Sequence, residues 1–294
     1  MISSIEIKNF RGIQDGKLEN LTPLTILVGP NGSGKSAILE ALLIGANDDP
    51  VTAFQEVCER RSLEDKVRWL IWQGEYYNGV TIKVTSNSLS WRKCDFYSHP
   101  LKRGTDEELQ STTTSAKSDG VDIQFGSEDW FNPKKSGFTG IGLIDPSAFD
   151  LSPLVKIRTK IVEKGNMAEV ISLISSVIPG LSDLELGVSE EGSPLIYLDF
   201  KTYAIPLGTA GDGVQSLVRI CMELAVLKDG VALMEEPEVH KHPAAINQTA
   251  KAIFAAVRRG VQVAMTTHSL ELIDALIREA KDEEGINLLS VFGL

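Results

Sequence analysis

Residues 24–43 read LTILVGPNGSGKSAILEALL, and the order of residue types in that stretch decides the fold. Leu24 to Val28 is a short apolar run suited to a buried strand, while AILEALL has the composition and spacing of a helix. Between them stands G-x-x-x-x-G-K-S, as Gly29, Gly34, Lys35 and Ser36. A strand, a glycine loop and a helix in that order separate a P-loop from a merely glycine-rich turn. The glycines let the backbone N–H groups of Asn31, Gly32, Ser33 and Gly34 turn inward around phosphate oxygens, and the helix N-terminus adds favourable potential. Lys35 reaches the β and γ phosphates and Ser36 ligates Mg²⁺. The stretch predicts a nucleoside triphosphate site.

A P-loop needs a second acid for the Mg²⁺ shell, normally at the end of a neighbouring apolar strand. Far downstream, VALMEEPEVHKHP (231–243) supplies one. Four apolar residues run into Glu235, the metal-shell acid. Glu236, one residue on, points instead at the attacking water, which a carboxylate can orient and polarise. Pro237 stops the strand. A third apolar run, VQVAM (261–265), ends in Thr266, Thr267, His268 and Ser269 before the helical stretch LELIDALIREA. A histidine at such a strand end can hydrogen-bond a γ phosphate and sense its loss.

The bulk numbers bound the rest. A chain of 294 residues with 43% hydrophobic content can form one large α/β domain. No signal peptide opens it and no run approaches the ~18 apolar residues of a membrane span. Three isolated cysteines, Cys58, Cys94 and Cys221, without C-x-x-C spacing, point to a reducing, cytoplasmic setting. His240 and His242 form a lone H-x-H, a weak metal signal. A net charge of −11 argues against a surface dedicated to nucleic acid. The best local basic patch, KIRTKIVEKG with Lys156, Arg158, Lys160 and Lys164, reads first as a solvated face.

Taken together these motifs resemble the ABC class of ATPases: Walker A at 29–36, Walker B at 231–236 and an H-switch at His268. The opening ISSIEIKNFRGIQDGKLENLTPLTILVGPNGSGKS and the EEPE run resemble the SMC/RecF/OLD group. The resemblance implies ATP and Mg²⁺ as ligands, an Arg11 near the nucleotide phosphates, and a homodimer that sandwiches ATP between the Walker A of one protomer and a signature loop of the other. The matching segment is PLGTAGDGVQSLVRICMELAVL (206–227), with Gly211, Asp212 and Gly213 opening a helix. Asp212 stands where the group usually has a serine, so either it turns away and caps the helix or Gly211 takes that place. The group's Mg²⁺-placing glutamine is not assigned; Gln73 and Gln124 lie in the right half of the chain, and Asp145 in GLIDPSAFD (142–150) is a substitute.

The expected fold is an α/β, ABC-type P-loop domain with a mixed-sheet nucleotide lobe (1–149 and 228–294), an antiparallel β flank near 78–131 and a helical signature lobe (150–227). Segment 51–72 reads helical, MAEVISLISSVIPG as a helix ended by Pro179-Gly180, PLIYLDF as a strand, and the polar 104–120 as a loop. Without heptads, coiled-coil arms are not expected. With only a short stretch after His268, the Toprim nuclease of OLD proteins is not expected here. The function expected is ATP hydrolysis that opens and closes a dimer in DNA repair or anti-phage defence, with a separate nuclease or other effector as partner. Alternatives are a weakly hydrolysing docking module and a RecF-like DNA clamp.

Overall fold

Whether those apolar runs lie side by side is answered by a computed structural model, which describes residues 1–61, 70–74, 79–87, 89–100, 114–118, 121–126, 140–146, 150–189, 191–227, 229–280 and 283–294. In chain order the strands and helices of the first half are β1 (Ile2–Phe10), β2 (Ile13–Glu19), β3 (Leu24–Val28), α1 (Lys35–Ala46), α2 (Pro50–Arg60), β4 (Val80–Ser86), β5 (Leu89–Pro100), β6 (Thr114–Ser118), β7 (Val121–Gly126) and β8 (Ile141–Ile144). Those of the second half are α3 (Ser152–Lys164), α4 (Met167–Ser175), β9 (Asp183–Val188), β10 (Pro194–Asp199), β11 (Ala204–Pro206), α5 (Asp212–Val226), β12 (Val231–Glu235), α6 (Pro243–Arg258), β13 (Gln262–Thr266), α7 (Leu270–Glu279), α8 (Glu283–Asn287) and β14 (Leu289–Gly293).

The chain divides into two compact units. The first holds residues 1–22, 29–141 and 293–294. Its antiparallel sheet runs β2-β1-β4-β5-β7-β6. Strand alternation puts Ile5 and Ile7 of β1 and Val80, Ile82 and Val84 of β4 into the core, where α1 covers β1 and β4, and a register shift between Ile2 and Ser4 lets Ile2 join them. Close approach is possible because Gly45 lacks a Cβ, which would lie 2.7 Å from Cγ2 of both Ile82 and Val84. The polar stretch 104–120 is not all loop: Thr114–Ser118 pairs with β7, main-chain pairing overriding its low hydrophobicity. Residues 62–69, in the segment that reads helical, lie outside the described ones; before them α2 ends at Arg60.

The second unit holds residues 23–28 and 142–292. Its main sheet runs β14-β3-β13-β12-β8, with β3, β13 and β12 parallel. That explains why LTILV, VALM and QVAM carry no polar alternation: central parallel strands are covered on both faces. Leu24, Ile26, Val263, Met265, Ala232 and Met234 share one core with Leu217, Ile220 and Leu224 of α5 and Ile253 of α6. A small antiparallel sheet, β11-β10-β9, completes the unit. The second unit thus holds the helical stretch 150–227 together with β12 and β13. The likeness of fold class holds: parallel and antiparallel sheets with helices, in mixed α/β order. Among the described residues no helix is long and apolar enough to cross a membrane.

Candidate functional site

In the first unit the glycine loop has the backbone that its residue types allow. Gly29, Gly32 and Gly34 have φ of 154°, 83° and 97°, values that favour glycine. A Cβ on Gly29 would lie 2.8 Å from the Leu294 carbonyl and 2.9 Å from Ser33 Oγ, so the loop closes on itself only without one. Gly32 faces open space, as a residue lining a cradle must. Gly34 caps α1, whose first turn presents its N–H groups to the loop. Lys35 is 6% exposed and its ammonium donates to the Gly29 and Pro30 carbonyls at 2.8 and 2.9 Å. The lysine is held inside the loop by the backbone it would help to fill with phosphate.

Arg11, in a left-handed turn after β1 (φ 51°), donates Nη1 to Glu40 Oε2 at 2.5 Å. Glu40 is fully buried on α1 and also accepts from Arg61 Nε at 2.7 Å. A buried carboxylate persists only with such pairing. The structure therefore joins Arg11 to the P-loop helix. Glu40 is a residue that the sequence reading missed, although an acid inside the apolar LEALL was a signal.

In the second unit the ends of β3, β13 and β12 are in register, Leu27 opposite Thr266 and Thr266 opposite Glu235. The glycine loop begins in the chain directly after Val28. Glu236 follows β12 in a left-handed conformation (φ 46°), and its N–H donates to the Thr266 carbonyl at 3.1 Å and to Thr266 Oγ1 at 3.2 Å. The bend turns the carboxylate toward the next strand end. There His268 Nε2 lies 3.4 Å from Glu236 Oε1, within ion-pair reach and longer than a well-formed hydrogen bond. Both side chains are more than a third exposed, 39% and 37%. A solvent-facing carboxylate beside an imidazole can orient water and exchange protons.

Behind this pair stands a residue that the sequence reading did not single out. Glu238 Oε1 accepts from Thr267 Oγ1 at 2.7 Å and from the His268 backbone N–H at 2.9 Å. Farther along the loop, Lys241 donates to Ser216 Oγ of α5 and to the Pro237 carbonyl, both at 2.5 Å. Burial pulls its ammonium down to about 8. His242 caps α6, its Nδ1 accepting from Ala244 N–H at 3.3 Å. Burial pushes the Cys58 and Cys221 thiols up to about 12, which removes both as nucleophiles.

The signature segment resolves one alternative left open by the sequence. Gly211, not Asp212, is the N-cap of α5, and Asp212 is the first helical residue. No side chain caps the helix, so of the two alternatives the Asp212 cap is not the one formed. An acid in the first turn still suits the helix dipole. Gly213 packs on the loop after Walker B: a Cβ there would lie 2.6 Å from the His240 carbonyl. Of the glutamine candidates, Gln73 sits in a tight turn (φ 56°) and Gln124 in β7. Desolvation pushes the half-buried Glu223 carboxyl up to about 6 against the lowering pull of Arg219, with Asp145, which follows β8, adding to the rise. The KIRTKIVEKG patch is the α3 helix, with Lys156 and Lys160 exposed, Arg158 bonded to the Leu184 carbonyl and Lys164 to that of Val226.

Residues 1–68 and 144–273 match the family described as AAA ATPase domain. An uncharacterized protein of Methanocaldococcus jannaschii, MJECL10, is 36% identical over 110 residues, 35% of this chain and 47% of that protein. The OLD nuclease of Thermus scotoductus is 50% identical over 42 residues, 14% of this chain and 8% of that protein. The chain therefore spans about half or less of these relatives' length. Among solved structures, the SMC head bound to the C-winged helix domain of ScpA superposes with a TM-score of 0.61, covering 93% of this chain and 91% of that one at 14% identity.

Proposed function

This chain belongs to the AAA ATPase domain family, and on that premise we propose that it is an ABC-class ATPase of the SMC/RecF/OLD group that binds ATP with Mg²⁺, hydrolyses it, and uses the cycle to close and open a homodimer. The observation that carries the reading is the Glu236–His268 pair at the end of two register-matched strands. The open glycine cradle and the buried Lys35 fit a triphosphate. Ser36 and Glu235 offer the hard oxygen donors that suit Mg²⁺. Bound there, the ion neutralises charge on the phosphates.

In this reading Glu236 orients the attacking water and takes its proton. His268 reports on the γ phosphate, and Lys35 and the loop N–H groups hold the phosphate chain. Arg11 adds positive charge near it, at the place where Glu40 holds its guanidinium. The N-terminus of α5, with Gly211, Asp212 and Gly213, faces the partner protomer's nucleotide. The output passes to a separate effector, such as a nuclease, in DNA repair or defence, within the cytoplasm.

Asp212 favours a second reading. An acid at the first position of an uncapped helix weakens its grip on a partner's phosphates, so a slowly hydrolysing, ATP-gated docking module is the alternative. One pair of measurements separates them. Glu236→Gln should lower kcat by roughly 10²–10⁴-fold while ATP still binds. Light scattering should then find its mass rising from 32.0 kDa to twice that only with Mg-ATP. Turnover unchanged by the substitution removes Glu236 from the chemistry. Mass unchanged with ATP bound leaves the docking module.

A further inference from the structure

The EEPE run ends in an acid whose side chain does not face solvent as a turn residue would. One oxygen of Glu238 accepts two hydrogen bonds from the other strand's exit, from Thr267 Oγ1 (2.7 Å) and from His268 N–H (2.9 Å). Its second oxygen is buried and has no hydrogen-bond partner among the described residues. Leaving such an oxygen unpaired is costly, so the side chain is held where it is by its first oxygen and by the chain around it.

That chain is fixed at every point. Thr267 is fully buried, and its N–H donates to the Leu27 carbonyl at 3.2 Å. The Thr267 hydroxyl accepts from Ser269 N–H at 2.9 Å while it donates to Glu238. Ser269 in turn caps α7 by accepting from Leu272 N–H at 3.1 Å. The direction of each bond is set, so the bend 267–269 has one arrangement only while Glu238 accepts. Its outward product is the imidazole of His268, placed 3.4 Å from Glu236.

We propose that Glu238 is the positioning residue of the hydrolytic pair: its carboxylate clamps the 267–268 bend and thereby sets His268 against Glu236. The proposal rests on the reading of Glu236 and His268 as the hydrolytic pair. Glu238 acts through His268, whose backbone N–H it holds. An acceptor oxygen is what the clamp requires, and a negative charge is not.

The test compares Glu238→Ala with Glu238→Gln, which keeps a carbonyl oxygen. In steady-state ATP hydrolysis, Ala should lower kcat by on the order of 10–100-fold with KM within about threefold, and Gln should stay within about threefold of wild type. Combining Glu238→Ala with His268→Ala should cost no more than His268→Ala alone, since coupled residues are non-additive. Thr267→Val, which removes only the hydroxyl donor, should lower kcat in the same way and serves if the Ala variant does not fold. Fully additive losses, or Gln as damaging as Ala, overturn the proposal.

A second measurement works without turnover. In wild type, Glu236→Gln should shift the His268 ring resonances in ¹⁵N and ¹³C NMR spectra. In the Thr267→Val and Glu238→Ala backgrounds that shift should vanish, and in Glu238→Gln it should persist. A shift that survives loss of the clamp overturns the positioning role. Wild-type protein that binds ATP without hydrolysing it sinks the ATPase reading alone, and the NMR result still decides the clamp.

Discussion

Lys241 carries an ammonium into the crevice between the loop after Walker B and helix α5, and its two acceptors, Ser216 Oγ and the Pro237 carbonyl, do not offset the desolvation. Its pKa therefore falls from 10.5 to about 8 on folding, chiefly by burial. The sign of the stability effect follows directly. Below about pH 8 both states hold the proton and the folded chain bears the full cost. Between about 8 and 10.5 the unfolded chain keeps a proton that the folded chain has released, so stability rises with pH across that window. The check is denaturant unfolding of wild type and Lys241→Met at pH 7.5 and 10. Whatever the offset from the lost hydrogen bonds, wild type should gain on the variant as pH rises. An unchanging difference would mean that the ammonium is solvated in the folded chain.

At the scale of elements, the join between α5 and the loop 236–242 depends on one missing methyl group. Gly213→Ala would put a Cβ 2.6 Å from the His240 carbonyl, whereas Gly211 has nothing within 4 Å of its Cβ position and an ordinary φ of −63°. Overpacking of this kind costs about 1–3 kcal/mol. Differential scanning calorimetry should find Gly213→Ala lower in Tm by roughly 2–10 °C, with Gly211→Ala near wild type. Equal effects would show that the helix is free to shift off the loop. The same elements explain what the sequence disclosed. Strands β3, β12 and β13 were legible because central parallel strands need unbroken apolar runs, and each ends in residues with chemistry. Strands β9 and β11 were not: DLELGV buries Leu184 alone, and Ala204–Pro206 is three residues paired through the main chain. Glu40 and Glu238 escaped for another reason. An acid in an apolar helix and an acid after a proline carry no periodicity, and their partners, Arg11, Arg61, Thr267 and His268, come from distant or adjoining elements that only the fold brings together.

For the whole molecule the consequence concerns how ligand and partner enter the stability. The glycine loop belongs to one compact unit and the Glu235–Glu236 edge to the other, and the chain passes between the units at 22/23, at 28/29, at 141/142 and at 292/293. A ligand that binds the folded chain alone stabilises it by RT ln(1 + [L]/Kd), or about 2.7 kcal/mol at a hundred times Kd. Glu236→Gln protein should therefore show a higher unfolding temperature with Mg-ATP, a rise that EDTA removes. Lys35→Met should abolish that rise while leaving the ligand-free transition near its wild-type position. Protein concentration then separates a monomer that binds ATP from a dimer that closes on it. Unfolding of a closed dimer is bimolecular in reverse, so the ATP-bound midpoint should climb as protein is made more concentrated, while the ligand-free midpoint stays put. A midpoint raised by ATP yet indifferent to protein concentration would show that nucleotide is held by one chain alone. The N-terminus of α5, led by Asp212, would then be a docking surface for another protein and not half of a phosphate sandwich.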